Sequence, residues 1–211
     1  MLQNLTVRAF MDELASNAPT PGGGSAAALT GALGSALGSM VFNLTVGKKV
    51  YNEYDENIKL EVLRSLETTN LTIDEFLYLM EKDAEEFLKL MAAFKLPKST
   101  EEEKVIREER IEEGYKKALE VPFKVAEKAF DIYKHIELSA KYGNKNAVSD
   151  SGVAAILLQT AIESAVLNVK INLSGTKDEN YKDKIEKRCE ALIEEGLKQK
   201  KNIMNIVNLR L

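Results

Sequence analysis

The chain of 211 residues has very little of several residue types that metal sites and catalytic sites commonly use. It contains one cysteine, one histidine, no tryptophan and four prolines. A single cysteine excludes a disulfide framework and a cysteine-based zinc site within the chain, and it suits a reducing compartment. Because His135 is the only histidine, we expect no metal site and find no serine–histidine or cysteine–histidine pair of the kind used for nucleophilic catalysis.

The charge of the chain also narrows the choice of partners. Lysine and arginine number 29 and aspartate and glutamate 33, which gives a net charge of -4. This mild acidity provides no positive field to hold a phosphate backbone, so we expect no nucleic-acid partner. The first residues lack the charged and then apolar regions of a secretory signal, and we therefore expect a soluble, cytoplasmic protein.

Apolar residues recur at helical spacing along the chain, and no stretch alternates with the period of a β-strand. The predicted fold is all-α: a single-domain, largely antiparallel bundle of about six helices over residues 1–211, with a central Gly/Ala-rich helix. The third helix is expected to pack through an apolar stripe from Leu63 to Phe94. The predicted helices run from Thr6 to Ala15, from a cap at Ser25 to about Val50, from about Asp55 to about Phe94, from the capping sequence Ser99-Thr100-Glu101-Glu102-Glu103 past a kink at Pro122 to Tyr142, from a cap at Ser149 or Asp150 to Thr176, and from about Asp178 to the C-terminus.

The second predicted helix lies in a segment without any charged residue between Leu14 and Gly47. It is long enough to span a membrane, but its serines, threonines and glycines, and the amphipathic character of the other helices, argue against that. The alternative is a central helix whose small residues allow close packing, within the chain or across a dimer axis. Glycines inside a helix cost about 1 kcal/mol each relative to alanine, and such packing offsets that cost.

The loop before this helix offers a further possibility. Three successive glycines, Gly22, Gly23 and Gly24, can direct backbone N–H groups into one concavity at the positive end of the helix. Phosphates and carboxylates bind such sites, although neither a Walker A loop nor a dinucleotide-binding fingerprint is present. The pattern alone does not decide between a ligand site and a plain turn.

Three polar side chains occupy positions where apolar ones are expected. Asp83 lies on the inner side of the third helix, between Met80 and Phe87. A carboxylate there is partly desolvated and suited to proton transfer, unless it is simply paired with a lysine or a helix end. Asn168 and Asn172 are one turn apart in a nearly uncharged helix, where buried amides need hydrogen-bond partners. Their partners are either protein groups around the two amides or a bound polar heterocycle.

Two other polar features give a weaker indication. The turn that contains Asn144, together with Ser149 and Asp150, gathers polar groups at a helix junction, which as a bare pattern is a loop and a cap. His135 is predicted to face solvent and is a poor candidate for catalysis.

Taken together, the motifs resemble the formiminotetrahydrofolate cyclodeaminase / methenyltetrahydrofolate cyclohydrolase family over essentially the full chain. Six ordered blocks carry the resemblance, and their order and spacing are more specific than any one block. They are Ala18-Pro19-Thr20-Pro21-Gly22-Gly23-Gly24-Ser25-Ala26-Ala27-Ala28, Ser39 to Lys49, Asp83-Ala84-Glu85-Glu86-Phe87, Leu96-Pro97-Lys98-Ser99-Thr100, Gly143 to Ala154, and Asn168-Val169-Lys170-Ile171-Asn172.

The resemblance implies a helical enzyme, usually a homodimer, that acts on a tetrahydrofolate derivative and needs no further cofactor. One branch of the family opens 5,10-methenyltetrahydrofolate to 10-formyltetrahydrofolate with water. The other expels ammonia from formiminotetrahydrofolate. The blocks around Asn43 and Asn144 are closer to the free-standing cyclohydrolase branch, which we prefer over the cyclodeaminase and over a non-catalytic helical interaction module.

Residue roles follow from the same resemblance. Asp83 is expected to be the general base, with Asp150 as a second candidate for proton transfer. Substrate-binding roles are expected for Pro21, Gly22, Gly23, Gly24, Ser25, Lys98, Asn144, Asn168 and Asn172. In this scheme the glycine segment takes a glutamate carboxylate or a pterin oxygen, and Lys98 supplies a counter-charge. The chain departs from the mammalian-type enzyme at its catalytic histidine, because His135 lies outside the matching blocks.

Overall fold

Helices account for most of the chain in the computed structural model, which describes residues 1–211. The α-helices are α1 (Val7–Leu14), α2 (Gly23–Asn43), α3 (Lys49–Asn52), α4 (Glu56–Phe94), α5 (Glu101–Tyr142), α6 (Val148–Leu173) and α7 (Glu179–Arg210), with short 3-10 turns at Leu2–Asn4 and Lys145–Ala147. No strand is present, and the predicted all-α class is confirmed.

Neighbouring long helices run in opposite directions. Near its start α2 contacts the later part of α4, where Ser25 meets Asp83, and near its end it faces the earlier part, where Gly38 lies by Thr69. In the same way the end of α5 meets the start of α6 through the side chains of Ser139 and Ser151. The largely antiparallel arrangement is therefore as predicted, and it brings the start of α2 beside the later part of α4.

The centre of the bundle is α2, which packs against α4, α5 and α6. Its glycines face three different neighbours at close range. A methyl group at Gly31 would lie 2.6 Å from the ring of Phe76, and one at Gly38 would lie 2.3 Å from Ile136. At Gly34 the backbone oxygen of Ala154 would be 3.3 Å away. This close packing is the compensation that glycines inside a helix require.

Two helical segments are long and apolar enough to cross a membrane by length and composition alone. They are Gly23–Asn43 and Lys145–Leu173, and the bundle buries 61% and 56% of their most apolar windows. A core helix of a soluble protein has the same length and composition, so these features are weak evidence for a membrane span.

The bounds of two helices differ from the sequence prediction. The second helix ends at Asn43 instead of continuing to Val50, because the chain turns at Gly47 with a φ of 75° before the separate helix α3. This break accounts for a seventh helix. The helix α6 begins at Val148 without a side-chain cap, so neither Ser149 nor Asp150 caps it.

The buried face of α4 also differs from the predicted apolar stripe. Leu63 is 44% exposed, whereas Ser65, Thr69 and Thr72 are buried. The hydroxyls of Thr69 and Thr72 donate to carbonyl oxygens of their own helix at 2.9 and 2.7 Å, so their burial leaves no unpaired polar atom. Small hydroxyl residues thus replace large apolar ones where neighbouring helices pack closely against α4.

Candidate active site

The start of α2 lies directly against the Asp83 side chain. The Ser25 hydroxyl donates to Oδ2 of Asp83 at 2.9 Å and also reaches the backbone oxygen of Met80 at 3.2 Å. A methyl group at Gly24 would lie 2.0 Å from Oδ1 of Asp83, so glycine is needed for this approach. Ser25 therefore does not cap α2 as predicted: the N-cap residue is Gly22, which has no side chain to do so.

The environment of Asp83 favours proton transfer. Burial raises the pKa of its carboxyl above the ordinary value of 3.8, and hydrogen bonds from the side chain and backbone of Ser25 oppose part of that rise. The positive end of α2 also stabilises the ionised form. The anion at this helix start is thus Asp83 itself, and a ligand carboxylate placed at the glycine segment would meet a like charge.

Asn168 and Asn172 lie on the facing helix, α6, with their amide nitrogens already engaged. The Asn168 nitrogen donates to the backbone oxygen of Ser164 at 2.9 Å, and the Asn172 nitrogen donates to the backbone oxygens of Ala118 and Asn168, both at 3.0 Å. Because carbonyl oxygens only accept, these contacts fix the orientation of both amides. Their side-chain oxygens remain available as acceptors.

One cavity of about 230 Å³ joins these groups. Asp83, Asn168, Asn172 and the backbone of Gly22 to Gly24 form its polar wall. Its remaining lining residues are Pro19, Thr20, Phe87, Ala118 and Ile171. A carboxylate and two amide oxygens provide hydrogen-bond acceptors, and the first N–H groups of α2 provide donors beside them, which suits a flat heterocycle with N–H groups and acceptor atoms.

Pro21 lies next to this cavity without lining it. It is buried between Thr20 and Gly22, which both line the wall. Its position supports the loop before α2 and gives it no contact surface for a ligand.

The structure does not bring Asn144, Asp150 or Lys98 to the cavity. The amide nitrogen of Asn144 donates to the backbone oxygen of Leu44 at 3.1 Å, just past the end of α2, and the 21 residues of that helix span about 30 Å. Asp150 lies in the first turn of α6, about 27 Å along the helix from Asn168. Lys98 is exposed in the link between α4 and α5. Within one chain these three residues therefore lie outside the cavity, unlike the single site expected from the sequence, and their roles stay predictions.

His135 is predicted from the sequence to face solvent, but in the structure it is half-buried. Its Nδ1 lies 2.9 Å from the hydroxyl of Ser65, and burial lowers the pKa of its imidazole. Because Ser65 is buried and small, α5 approaches α4 closely enough for this contact. The pair lies more than four helical turns along α4 from Asp83, outside the cavity.

Sequence reasoning missed several apolar members of the cavity wall. Ala118 and Ile171 carry no chemistry of their own, so composition gives no reason to select them. The sequence contains one indication for Ile171, which is its position between Asn168 and Asn172 on the same helix. In the structure it is 70% exposed despite its apolar side chain. No group of three or more His, Cys, Asp or Glu side chains is arranged to hold a metal ion.

The fold and the site together define an antiparallel helical bundle in which a partly buried carboxylate, Asp83 of α4, lies against the start of the central helix α2. Within that class, the chain belongs to the formiminotransferase-cyclodeaminase family, whose sequence profile matches residues 6–191.

Individual relatives agree with this assignment. The chain is 41% identical to a methenyltetrahydrofolate cyclohydrolase of Methylorubrum extorquens over 93% of its own length and 92% of that protein. It is 33% identical to the formimidoyltransferase-cyclodeaminase of Rattus norvegicus over 99% of its length, but it spans only 38% of that longer protein. The crystal structure of formiminotetrahydrofolate cyclodeaminase from Thermotoga maritima matches with a TM-score of 0.79 and 32% identity, covering 100% of this chain and 98% of that one.

Proposed function

We propose that the protein hydrolyses 5,10-methenyltetrahydrofolate to 10-formyltetrahydrofolate. Family membership and the cyclohydrolase and cyclodeaminase relatives support the broader assignment, a folate one-carbon enzyme. The observation that favours hydrolysis in particular is the similarity to a methenyltetrahydrofolate cyclohydrolase over nearly the whole of both chains, and the partly buried Asp83 on the cavity wall supplies a proton acceptor for it. A non-catalytic interaction module gives no reason for Asp83, Asn168 and Asn172 to meet.

The proposed reaction adds water to a cationic carbon. The methenyl carbon bridges N5 and N10 in an amidinium, and a water oxygen attacks it while Asp83 accepts the proton. Asp83 then returns a proton to N5 as the bond between carbon and N5 breaks, and the hydroxyl proton of the adduct leaves to solvent. The products are the N10-formyl compound and one released proton, so atoms and charge balance.

The amides have a binding role in this proposal. The free side-chain oxygens of Asn168 and Asn172 accept hydrogen bonds from N–H groups of the pterin, and Asp83 stabilises the positive amidinium before the attack. The N–H groups at the start of α2 can donate to acceptor atoms of the pterin, so a heterocycle that carries both N–H groups and acceptor atoms pairs with this wall. No cofactor beyond the folate enters the reaction.

The cyclodeaminase activity is the second candidate, and the structural match to the Thermotoga maritima enzyme favours it. Loss of ammonia from a formimino group also passes through a tetrahedral carbon and needs one proton acceptor and donor. The same Asp83 serves either reaction. The two candidates therefore differ in substrate and leaving group, not in the arrangement of the cavity.

Two assays run side by side separate these activities. We expect the wild-type protein to accelerate the loss of methenyltetrahydrofolate absorbance well above a protein-free control, and to release ammonia from formiminotetrahydrofolate more slowly. The reverse ranking assigns the cyclodeaminase activity. Acceleration of neither reaction rejects the proposed function.

We also propose that the protein works as a cytoplasmic homodimer that pairs through the outer face of α2 and α6. Leu33 on α2 and Ile156 on α6 are 51% and 46% exposed, and α2 carries no charge along its length of about 30 Å. A second copy presents the same charge-free face of α2, so pairing of the two α2 helices through a two-fold axis buries apolar area without desolvating a charge on that helix. The buried thiol of Cys189 suits a reducing cytoplasm.

Leu33→Glu should convert a dimer to a monomer, because it places a charge in the centre of that uncharged face. Light scattering coupled to size exclusion measures the mass. Leu71→Glu is the control, since Leu71 is 58% exposed on α4 and lies outside the proposed interface; it should leave the dimer intact. A wild-type monomer, or a dimeric Leu33→Glu variant, contradicts the proposal.

A further inference from the structure

The helix α5 continues without interruption past Pro122, the one proline that lies inside a helix of this chain. Proline has no backbone N–H, so the carbonyl oxygen one turn earlier, that of Ala118, lacks the partner that a regular helix would give it. Ala118 is only 5% exposed, so water does not readily replace that partner. Buried carbonyl groups are paired in folded proteins, and the donor to this one comes from another helix.

That donor is Asn172 on α6. Its amide nitrogen donates to the backbone oxygens of Ala118 and Asn168, both at 3.0 Å. The bond to Asn168 lies within α6, one turn back, whereas the bond to Ala118 ties the side chain to a second helix. Because both N–H groups are engaged, the amide cannot be turned end for end, and its oxygen stays free to accept a hydrogen bond from a ligand.

Both ends of this interhelical bond lie on the cavity wall. Ala118 and Asn172 line the cavity together with Asp83. Pro122 follows Ala118 by one turn, about 6 Å along α5, and does not itself line the cavity. Any effect of the proline on the site therefore passes through the Ala118 carbonyl and the Asn172 amide.

An ordinary residue in place of this proline would change the arrangement. Proline is the least favourable residue for a helix interior, and Pro122→Ala restores an N–H that can donate to Ala118 within α5. The restored N–H then competes with Asn172 for the same oxygen. The amide of Asn168 has no such dependence, because its nitrogen donates to Ser164 of its own helix. The two amides of the wall are thus held differently.

We propose that Pro122 is a positioning residue for the pterin site: it frees the Ala118 carbonyl, which holds the Asn172 amide with its oxygen available to the pterin. This inference rests on the proposed function. Because Asn172 binds the ligand and takes no part in proton transfer, loss of this arrangement affects KM more than kcat. A purely structural role of Pro122 would change the stability of α5 and leave KM as it is.

The test combines Pro122→Ala, Asn172→Ala and the double variant in one cycle. We expect Pro122→Ala alone to raise KM for methenyltetrahydrofolate about three- to tenfold, the effect of one hydrogen bond, with kcat within about twofold of the wild type. Its melting temperature should be equal or higher, because alanine favours the helix. In the Asn172→Ala background the same change should leave KM unaltered. An unchanged KM in Pro122→Ala, or an equal rise in both backgrounds, overturns the proposal.

Asp131→Ala is the control for helix propensity. It also places alanine in α5 instead of a poorer helix former, but at an exposed position that does not line the cavity. KM should keep its wild-type value. A rise comparable with that of Pro122→Ala would show that any gain in helix propensity of α5 disturbs the site, and it overturns the proposal.

Side-chain amide NMR separates failure of this inference from failure of the proposed function, because it needs no substrate. The Asn172 signal is identified by its absence in Asn172→Ala, and the Asn168 signal serves as an internal reference. We expect Pro122→Ala to shift the first signal and to leave the second in place. Such a shift supports the positioning by Pro122 even where the wild type hydrolyses no methenyltetrahydrofolate. An unshifted Asn172 signal overturns it, and wild-type turnover then still stands on its own.

Discussion

Asp83→Asn should lower the turnover of methenyltetrahydrofolate by about a hundredfold or more, because a positioned general base contributes roughly 10²- to 10⁴-fold to such a reaction. The amide keeps the size of the carboxylate and leaves the Ser25 hydroxyl a second acceptor, the backbone oxygen of Met80 at 3.2 Å. Substrate binding should change less than turnover, because Asn168 and Asn172 remain in place. Steady-state kinetics that resolve kcat from KM measure the effect.

The control for this variant is Asp74→Asn, which neutralises an exposed aspartate on the same helix. It should retain wild-type turnover. Near-normal kcat in Asp83→Asn excludes Asp83 as the base. A large rise in KM with unchanged kcat would instead identify Asp83 as a residue that only anchors the pterin.

The same variant has a predictable effect on stability. Burial raises the pKa of Asp83 above 3.8, so the folded protein binds this proton more tightly than the unfolded chain does. The resulting stabilisation is complete below pH 3.8 and is lost as the pH rises through the raised pKa. At neutral pH the buried carboxylate is destabilising, and Asp83→Asn should unfold at the same or a higher temperature. A marked loss of stability at pH 7 would contradict this account of the site.

Gly24→Ala should remove most of the activity while leaving every catalytic group in the chain. Its methyl group would lie 2.0 Å from Oδ1 and 2.5 Å from Cγ of Asp83, which no real contact allows. Either the carboxylate leaves Ser25 or α2 moves, and a displacement of about 1 Å at a catalytic group can reduce the rate about a hundredfold. Overpacking of this kind also lowers stability by roughly 1–3 kcal/mol. Turnover and thermal unfolding measure the two effects.

Gly152→Ala is the matched control, because it adds the same methyl group to a helix in a place that has room. The nearest atoms there are Sδ of Met204 and Cγ1 of Val207, both at 3.4 Å, an ordinary contact distance. Gly152 lies in the first part of α6, far from the cavity. Activity should be retained, and stability should be equal or slightly higher. Equal losses in both variants would show that any added methyl group disturbs the bundle.

The sequence allowed the core of the candidate site to be predicted where helical periodicity fixes the facing of a side chain. The placement of Asp83 between Met80 and Phe87 puts it on the buried face of any helix there. Asn168 and Asn172 were found because polar amides in a nearly uncharged helix need partners. Their roles in the reaction remain predictions.

The sequence could not show which of the remaining site residues lie together, because that depends on distance through the fold. Asn144 and Asp150 fall in family-like blocks, but the order of the blocks along the chain does not show which ends of the helices lie close together. The straight length of α2 separates them from Asp83. The position of His135 depended on the small size of Ser65 on another helix, which no pattern in its own helix contains.

Close packing at the glycines of α2 links positions far from the cavity to the activity of the protein. A methyl group at Gly31 would lie 2.6 Å from the buried ring of Phe76, and one at Gly34 would lie 3.3 Å from the backbone oxygen of Ala154. Neither neighbour is the free end of a flexible side chain, so an added atom at these positions moves the helix. A push at Gly31, about 12 Å from the start of α2, shifts the backbone that positions Asp83. In a scan for activity, these distant positions will score like contact residues, although no substrate ever reaches them.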